Sequence, residues 1–490
     1  MRRTSILATA SSHFVRLDYV SVRNWIIFAL SGLLLGISER AVAAQPNPEA
    51  RYSSYDDSVL ISGAGSTAAT RAPTGPDPAP SPTPTAEASL AFSSAEYWDA
   101  LAALNLSALR SAAAGDAQQE FARGISLLAD GDAEGAETSF IAASDQRSDI
   151  NVGIASQIML ATTLLYEHKW ADLRSFKFSD HLSSGDKEII GGYQRWGVAF
   201  ANTESQRVTL SRESALVRMR LSPIGTPTVS VRINGKQYDF WIDTGSSITV
   251  LSSAVAREVG VPVVSKETLS VRTFGGSAPV KAAMVRRIEI GPLLLENTPA
   301  VIIDAADMAL KSVPDRAQAA RLRIDGIIGW DTIRQLDLSL DFASGLMLIR
   351  RPERTGHSPH NLTWMGKPFV EVRTKRGETL HFTLDTGAQS SFVNAIAVDK
   401  TGAASVSSTT VVFGIAGAGR RTGRVIQTLP LDVGGESVRL GDVMVYGPSY
   451  SGLINCDGIL GSDVARYGTI RIDATNGVFA VGLNSLRELD

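Results

Sequence analysis

Residues 236–247 read KQYDFWIDTGSS, and residues 379–390 read TLHFTLDTGAQS. In both stretches apolar and polar residues alternate, as they do in a half-buried β-strand, and the alternation runs directly into Asp-Thr-Gly. A second alternating segment precedes each stretch, separated from it by Asn234-Gly235 in one case and by Lys375-Arg376-Gly377 in the other. Asn-Gly is the strongest short signal for a hairpin turn. The sequence therefore predicts two β-hairpins that each deliver one triplet, Asp243-Thr244-Gly245 and Asp385-Thr386-Gly387.

The agreement between the two copies continues downstream. Each copy has a short predicted helix, a glycine-rich segment, an Asp-Gly-Ile-(Ile/Leu)-Gly-x-Asp motif and an aspartate before a glycine turn. The helices are expected to begin after Ser253 and Asn394 and to end at Gly260 and Gly402, seventeen residues after each aspartate. Serine and asparagine are good N-caps, and glycine is a good C-cap. The later motifs run from Asp325 to Asp331 and from Asp457 to Asp463, and the closing turns run from Asp341 to Gly345 and from Asp473 to Gly477.

A single Asp-Thr-Gly is weak evidence, because these are common turn residues. Two triplets, each followed by the same features in the same order, predict two copies of one β lobe. We place the lobes at residues 216–352 and 362–485. The four aspartates of the Asp-Gly motifs occupy matched places in the two copies, so we expect them to form turns and caps and not a calcium site.

The region from about residue 220 to 485 resembles the pepsin and retropepsin superfamily of aspartic peptidases. The resemblance implies an all-β, two-lobed acid-protease fold with one catalytic loop per lobe, so that Asp243 and Asp385 would be the catalytic residues. It implies that the hydroxyls of Thr244 and Thr386 bond across the lobe interface. It also implies that two apolar-apolar-Gly segments pack beside the loops, Ile327-Ile328-Gly329 and Ile459-Leu460-Gly461. Because one chain supplies both halves, we expect a catalytic monomer.

The residue types fit peptide-bond hydrolysis. Two carboxylates held close together cannot both ionise readily, so they share one proton. The ionised member takes a proton from water, and the protonated member polarises the substrate carbonyl. Gly245 and Gly387 allow the backbone to approach the carboxyls closely. The sequence thus predicts an aspartic endopeptidase that needs no cofactor and no metal ion.

The two loops differ in the residue after the triplet, which is Ser246 in the first and Ala388 in the second. A hydroxyl at position 246 that donates to Asp243 would favour the ionised form of that carboxyl. Alanine offers no such donor to Asp385. We therefore expect Asp385 to be the more readily protonated member of the pair.

Both copies carry a glycine-rich segment that is a candidate flap over the substrate, as in the retroviral arrangement. The residues concerned are Phe274, Gly275 and Gly276 in the first copy, and Phe413, Gly414 and Gly417 in the second. Glycine supplies hinge freedom and close contact with a peptide. Ordinary hairpin turns are the alternative, and neither segment has the tyrosine of a pepsin flap.

The N-terminal half has a different character. Arginines precede an apolar stretch from Trp25 to Ile37, and Ala41-Val42-Ala43 fits a cleavage site, so residues 1–44 are expected to be an export signal. Proline-rich residues 45–92 indicate a disordered linker. Residues 93–205 show helical periodicity and predict an all-α domain of helical hairpins. Gly124, Ala136, Phe140 and Ala143 weakly resemble a tetratricopeptide repeat, and a small helical bundle is the alternative.

These features lead us to expect an exported protein, periplasmic or secreted, with a membrane anchor from an uncleaved signal as the lesser alternative. The partners expected are a peptide or protein substrate and a protein bound through the helical domain. With 47 basic and 50 acidic residues, the charge gives no reason to expect a nucleic-acid partner. The single cysteine, Cys456, has no evident catalytic base and reads as a semi-buried residue.

Two alternatives to the active enzyme remain open from the sequence. One is a catalytically inactive peptide-binding protein in which the helical domain mediates interactions, although intact Asp-Thr-Gly in both lobes speaks against it. The other is a zymogen whose N-terminal region is removed by cleavage.

Overall fold

The computed structural model describes residues 95–145, 149–177, 184–223, 225–273, 276–308, 324–355, 360–414, 417–445, 450–451, 454–466 and 468–482. The predicted signal and linker lie outside these residues. An all-α region comes first and an all-β region follows, which confirms the predicted fold class. Within the described residues, no helix is long and apolar enough to cross a membrane.

The helices of the first region span 95–102 (α1), Leu106–Ala112 (α2), Asp116–Ala129 (α3), Ala133–Asp145 (α4), Ile150–Tyr166 (α5), Trp170–Ser175 (α6) and Ser184–Phe200 (α7). The chain turns between α3 and α4 at Gly131, whose φ of 75° suits glycine. A Cβ at Gly124 of α3 would lie 2.6 Å from the Phe140 ring of α4, so glycine allows the two helices to pack closely. Ala136, Phe140 and Ala143 are fully buried in this contact.

The first lobe is built from strands Arg207–Leu210 (β1), Ser214–Leu221 (β2), Pro227–Ile233 (β3), Lys236–Ile242 (β4), Thr249–Ser252 (β5), Val263–Thr273 (β6), Gly276–Ile290 (β7), Leu293–Ile303 (β8), Gly326–Ile328 (β9), Asp337–Asp341 (β10) and Leu346–Arg350 (β11). Helices Ser253–Val259 (α8), Ala305–Met308 (α9) and Trp330–Ile333 (α10) connect them. Because β1 pairs with β8, sheet structure begins before residue 216, the predicted start of the lobe.

The second lobe repeats this order with strands Leu362–Trp364 (β12), Pro368–Thr374 (β13), Thr379–Leu384 (β14), Phe392–Val393 (β15), Val406–Gly414 (β16), Gly417–Val433 (β17), Glu436–Val445 (β18), Tyr450–Ser451 (β19), Asn455–Cys456 (β20), Gly458–Leu460 (β21), Thr469–Asp473 (β22) and Val478–Gly482 (β23). It also contains helix Ala395–Thr401 (α11) and a 3₁₀ turn over Ser462–Ala465. The predicted turns are present: Asn234 and Gly235 both have positive φ, as does Gly377.

Strands from both lobes form one shared sheet. β10 of the first lobe pairs antiparallel with β22 of the second, and β11 and β23 flank them. In this register Asp337 lies opposite Asp473 and Asp341 opposite Thr469, so the two closing segments of the repeat meet at the pseudo-twofold axis. The sheet therefore holds the lobes in a fixed relation.

The short helices begin and end with the predicted types of cap, with one shift. The Asn394 side chain accepts from the Ala397 amide, and α11 ends at Gly402 with φ of 63°. In the first lobe the N-cap is Ser252 and not Ser253, and α8 ends at Gly260 with φ of 67°. With this correction, both caps lie nine residues after the Asp-Thr-Gly aspartate of their lobe. The two copies therefore match more closely in spacing than the sequence predicts.

The helical region does not stand apart from the β region. One buried apolar cluster contains helical residues such as Phe121 and Trp196 together with Trp241, Val250 and Ile327 of the first lobe. α7 packs against β6, and Tyr166 at the end of α5 belongs to the core shared by the two lobes. The helical region is thus packed into the β region close to the loops that carry the aspartates.

Candidate active site

The two aspartates are held at the ends of equivalent strands. β4 leads into Asp243 and pairs in parallel with β9, and the Asp243 amide donates to the Ile328 carbonyl at 3.1 Å. β14 leads into Asp385 and pairs in parallel with β21, and the Asp385 amide donates to the Leu460 carbonyl at 3.0 Å. The apolar-apolar-Gly segments therefore lie beside the loops in both lobes.

Four hydrogen bonds join the two loops across the lobe interface. The Thr244 hydroxyl donates to the Leu384 carbonyl at 2.8 Å and accepts from the Thr386 amide at 3.0 Å. The Thr386 hydroxyl donates to the Ile242 carbonyl at 2.7 Å and accepts from the Thr244 amide at 3.1 Å. Both threonines are almost fully buried, so these bonds are not exchanged with water.

Each glycine of the triplets lies against the carboxyl of the opposite lobe. A Cβ at Gly245 would lie 2.5 Å from Cγ of Asp385, and a Cβ at Gly387 would lie 2.5 Å from Cγ of Asp243. Only glycine leaves room for this approach. The steric requirement is reciprocal, and it brings the two carboxyls together.

The carboxyls are hydrogen-bonded to each other. Oδ1 of Asp243 also accepts from the Gly245 amide at 2.8 Å and from the Ser246 amide at 3.2 Å, and Oδ1 of Asp385 accepts from the Ala388 amide at 2.9 Å. Burial, and then the negative charge of Asp385, raise the pKa of Asp243 well above its ordinary value. The pair is therefore arranged to retain one proton.

The structure does not supply the hydrogen bond on which the expectation of a more readily protonated Asp385 rests. The Ser246 hydroxyl donates to the Ile248 carbonyl at 2.8 Å, so it gives Asp243 no additional hydrogen bond. Burial raises the pKa of Asp385 as well, but backbone amides, the hydrogen bond from Asp243 and the charge of Lys367 all favour its ionised form. The pair titrates as a unit, so the preference of the shared proton for either carboxyl stays a prediction.

The aspartates of the Asp-Gly motifs have matched structural roles. Oδ2 of Asp325 accepts from the Asp239 amide at 3.1 Å, and Oδ2 of Asp457 accepts from the His381 amide at 2.9 Å. Further along, Asp463 accepts from the Ser391 amide and hydroxyl. Across the part of the chain that the structure describes, no group of three or more His, Cys, Asp or Glu residues could hold a metal ion.

Asp331 differs from its counterpart Asp463. Its Oδ1 lies 3.4 Å from the Thr249 hydroxyl, whereas its buried Oδ2 has no hydrogen-bond partner among the described residues. Burial raises the pKa of Asp331 to about 7. The first lobe therefore holds, close to the first Asp-Thr-Gly loop, a carboxyl whose neutral form is favoured by burial.

The candidate flap residues lie at the ends of two long hairpins. β6 pairs with β7 up to the pair Thr273–Gly276, and β16 pairs with β17 through Phe413–Ala418 up to Gly414–Gly417. Phe274 and Gly275 lie outside the described residues. Whether these hairpins act as flaps stays a prediction.

Cys456 lies 3.0 Å from the Gly458 carbonyl, and burial raises the pKa of its thiol, which disfavours a nucleophilic thiolate.

Sequence reasoning missed the residues of the helical domain that reach the first loop. Tyr166 donates to the Gly366 carbonyl at 3.0 Å and lines a small cavity together with Ser247. Arg334 donates to the Tyr166 carbonyl at 2.6 Å. These contacts join positions far apart in the chain, and no local pattern in the sequence indicates them.

Comparison with known proteins agrees with this geometry. Residues 229–332, which carry the first Asp-Thr-Gly and the first Asp-Gly motif, match the family model described as Aspartyl protease. Among solved structures, the chain is similar to a retropepsin-like aspartic protease from Rickettsia conorii, with 14% identity and a TM-score of 0.20; the match covers 30% of this chain and 94% of that one. No curated protein matches the chain. The first lobe is thus similar to aspartyl proteases, and the second lobe repeats its Asp-Thr-Gly loop.

Proposed function

We propose that the protein is an aspartic endopeptidase that hydrolyses peptide bonds with a water molecule activated between Asp243 and Asp385. The observation that carries the proposal is the carboxyl pair itself. One carboxyl comes from each lobe, the two are hydrogen-bonded, and the glycine of each loop lies against the carboxyl of the other. Carboxyls that share a proton in this way supply a base and an acid in one place.

In the proposed reaction Asp385 is the general base and takes a proton from water, whose oxygen attacks the peptide carbonyl carbon. Asp243 donates its proton in a hydrogen bond to the carbonyl oxygen and stabilises the charge that develops there. When the C–N bond breaks, the leaving nitrogen receives the proton that Asp385 took from water. The charge of Lys367 supports the ionised form of Asp385 at the start of this cycle.

The proposed substrate is an extended peptide segment bound between the lobes. The β6–β7 and β16–β17 hairpins would act as flaps, contributing backbone hydrogen bonds, while pockets accept alternate side chains. Since both halves of the site lie in one chain, the catalytic unit is a monomer. We also propose that the protein is exported to the periplasm or secreted, which rests on the export signal expected in residues 1–44.

The inactive peptide-binding protein remains the second candidate, with the helical domain as its interaction module. The two intact triplets argue against it. The zymogen alternative is disfavoured because the helical domain shares a buried apolar cluster with the first lobe, so its removal would expose Trp241 and Ile327. A protein partner on the outer face of the helical domain is compatible with this packing.

The proposal is tested by incubating the exported form, residues 45–490, with a peptide library and comparing the wild type with Asp243→Asn and Asp385→Asn. We expect cleavage by the wild type and none by either variant. Asparagine keeps the shape of the side chain, so the folded state should persist, and circular dichroism checks this. Cleavage that survives either substitution rules out the pair, and a wild type that binds peptides without cleaving them supports the second candidate.

A further inference from the structure

The phenol of Tyr166 connects the helical domain to both lobes at once. Tyr166 is the last residue of α5, and its side chain is 5% exposed. Its hydroxyl donates to the Gly366 carbonyl in the turn between β12 and β13 of the second lobe. Ser247 lines the same small cavity as Tyr166, so the Tyr166 side chain also lies beside the first catalytic loop.

Both of these contacts lie next to the reacting groups. Ser247 belongs to the first catalytic loop, four residues after Asp243. Gly366 precedes Lys367, whose charge favours the ionised form of Asp385. A residue that fixes Ser247 and Gly366 therefore fixes the backbone that carries one carboxyl and the cation that acts on the other.

The surroundings of Tyr166 hold the ring in one position. Arg334 donates to the Tyr166 carbonyl at 2.6 Å and to Glu167 at 2.9 Å. The Trp364 ring meets the Tyr166 ring edge-on at 4.8 Å, and the Arg334 guanidinium lies over Trp364 at 5.8 Å. Packing of this kind locks a side chain for positioning.

The pseudo-twofold repeat allows the supports of the two catalytic loops to be compared. At the second catalytic loop, the first lobe supplies a hydroxyl of its own, because Thr226 donates to the Gly387 carbonyl at 3.2 Å. Thr226 and Lys367 are equivalent, since each precedes the proline that begins its strand, β3 or β13. Lysine has no hydroxyl to offer the first loop. Tyr166 of the helical domain lies beside that loop instead, across the small cavity that Ser247 also lines.

We propose that Tyr166 is a positioning residue of the active site, through which the helical domain holds the first Asp-Thr-Gly loop against the second lobe. The helical domain is then a constitutive part of the catalytic unit and not a removable propeptide. This inference rests on the proposed peptidase function.

The test compares Tyr166→Phe with Tyr193→Phe in the exported form. Tyr193 is a matched control, because it is also buried in the same domain and its hydroxyl, within the described residues, is hydrogen-bonded to Thr162 of that domain at 2.9 Å. We expect Tyr166→Phe to lower kcat about 5- to 10-fold, as the loss of one buried hydrogen bond predicts, with KM within about twofold of the wild type.

The pH profile separates positioning from simple support of the fold. If Lys367 moves away from Asp385, the pKa of Asp385 rises, and the acid limb of kcat/KM moves to higher pH. Tyr193→Phe should leave both kcat and the acid limb unchanged, even where it lowers the Tm as much as Tyr166→Phe does. Equal kinetics for the two variants overturn the proposal.

Hydrogen–deuterium exchange tests the positioning role of Tyr166 without an activity assay. Tyr166→Phe should speed exchange of the backbone amides over residues 243–250 and 362–367, and Tyr193→Phe should not. If the wild type fails to cleave every peptide offered, the proposed function fails, yet faster exchange confined to the first variant still supports the positioning role. Unchanged exchange in both variants refutes that role.

Discussion

The four hydrogen bonds of Thr244 and Thr386 to the opposite loops should contribute strongly to the free energy of unfolding. Thr244→Val keeps the shape of the side chain and removes only the hydroxyl. The Thr386 amide then loses its acceptor in a buried position, which costs about 1–3 kcal/mol, and the Leu384 carbonyl loses a donor, which costs about 1 kcal/mol. The sum predicts a loss of about 3 kcal/mol in the free energy of unfolding.

The assay is urea denaturation followed by circular dichroism, together with kcat on a cleaved peptide. Thr163→Val is the matched control, because Thr163 is also fully buried, but its hydroxyl donates to the Met159 carbonyl, which is the ordinary helical acceptor one turn back. It should cost less than about 1 kcal/mol. By the symmetry of the loops, Thr386→Val should match Thr244→Val. A Thr244→Val protein no less stable than Thr163→Val would refute the reasoning.

Three further outcomes are expected. Gly245→Ala should lower kcat by at least about 100-fold, because its Cβ would lie 2.5 Å from the Asp385 carboxyl. Gly115→Ala is the control, because its Cβ would have nothing within 4 Å, and its kcat should stay within about twofold of the wild type. Equal activity of the two variants would contradict the steric account. The pKa of Asp331 is raised to about 7 in the folded state. Its contribution to the free energy of unfolding is therefore constant below about pH 4, where the unfolded chain also holds the proton. The free energy of unfolding then falls by a few kcal/mol as the pH rises towards 7. Asp331→Asn should abolish that fall in a series of thermal melts, and an unchanged pH dependence would show that this carboxyl is not the cause. The raised pKa of Asp243 should place the basic limb of the kcat/KM profile well above pH 3.8, and a limb at or below that value would be inconsistent with a proton held on this residue.

The hairpin turns, the buried faces of the strands and the helix caps could be predicted because each depends on residues close together in the sequence. Asn234-Gly235 specifies a turn with positive φ, the alternating strands determine which face is buried, and Asn394 and Gly402 cap a helix through contacts within a few residues. The repetition of these features adds long-range information, because two equivalent lobes imply two loops that face each other. The order of helical and β regions follows from the change in periodicity.

Other features depend on side-chain directions or on contacts between distant parts of the chain. The Ser246 hydroxyl turns towards the Ile248 carbonyl, so the hydrogen bond behind the asymmetry inferred from Ser246 and Ala388 is not formed. Tyr166 meets Gly366 across a separation of 200 residues, and a tyrosine at a helix end has no pattern that distinguishes it. Such contacts arise only when the helical domain packs on the assembled lobes.

The claim that the two carboxyls act as one unit is tested most directly by the kcat/KM of Asp243→Asn, Asp385→Asn and the double variant, measured on one peptide. The account predicts that either single substitution lowers kcat/KM by at least about 10³-fold and that the double variant is no worse than the single ones, because groups that act as a unit are lost together. Losses that multiply in the double variant, or a single variant that retains substantial activity, would show that the aspartates do not form one catalytic pair.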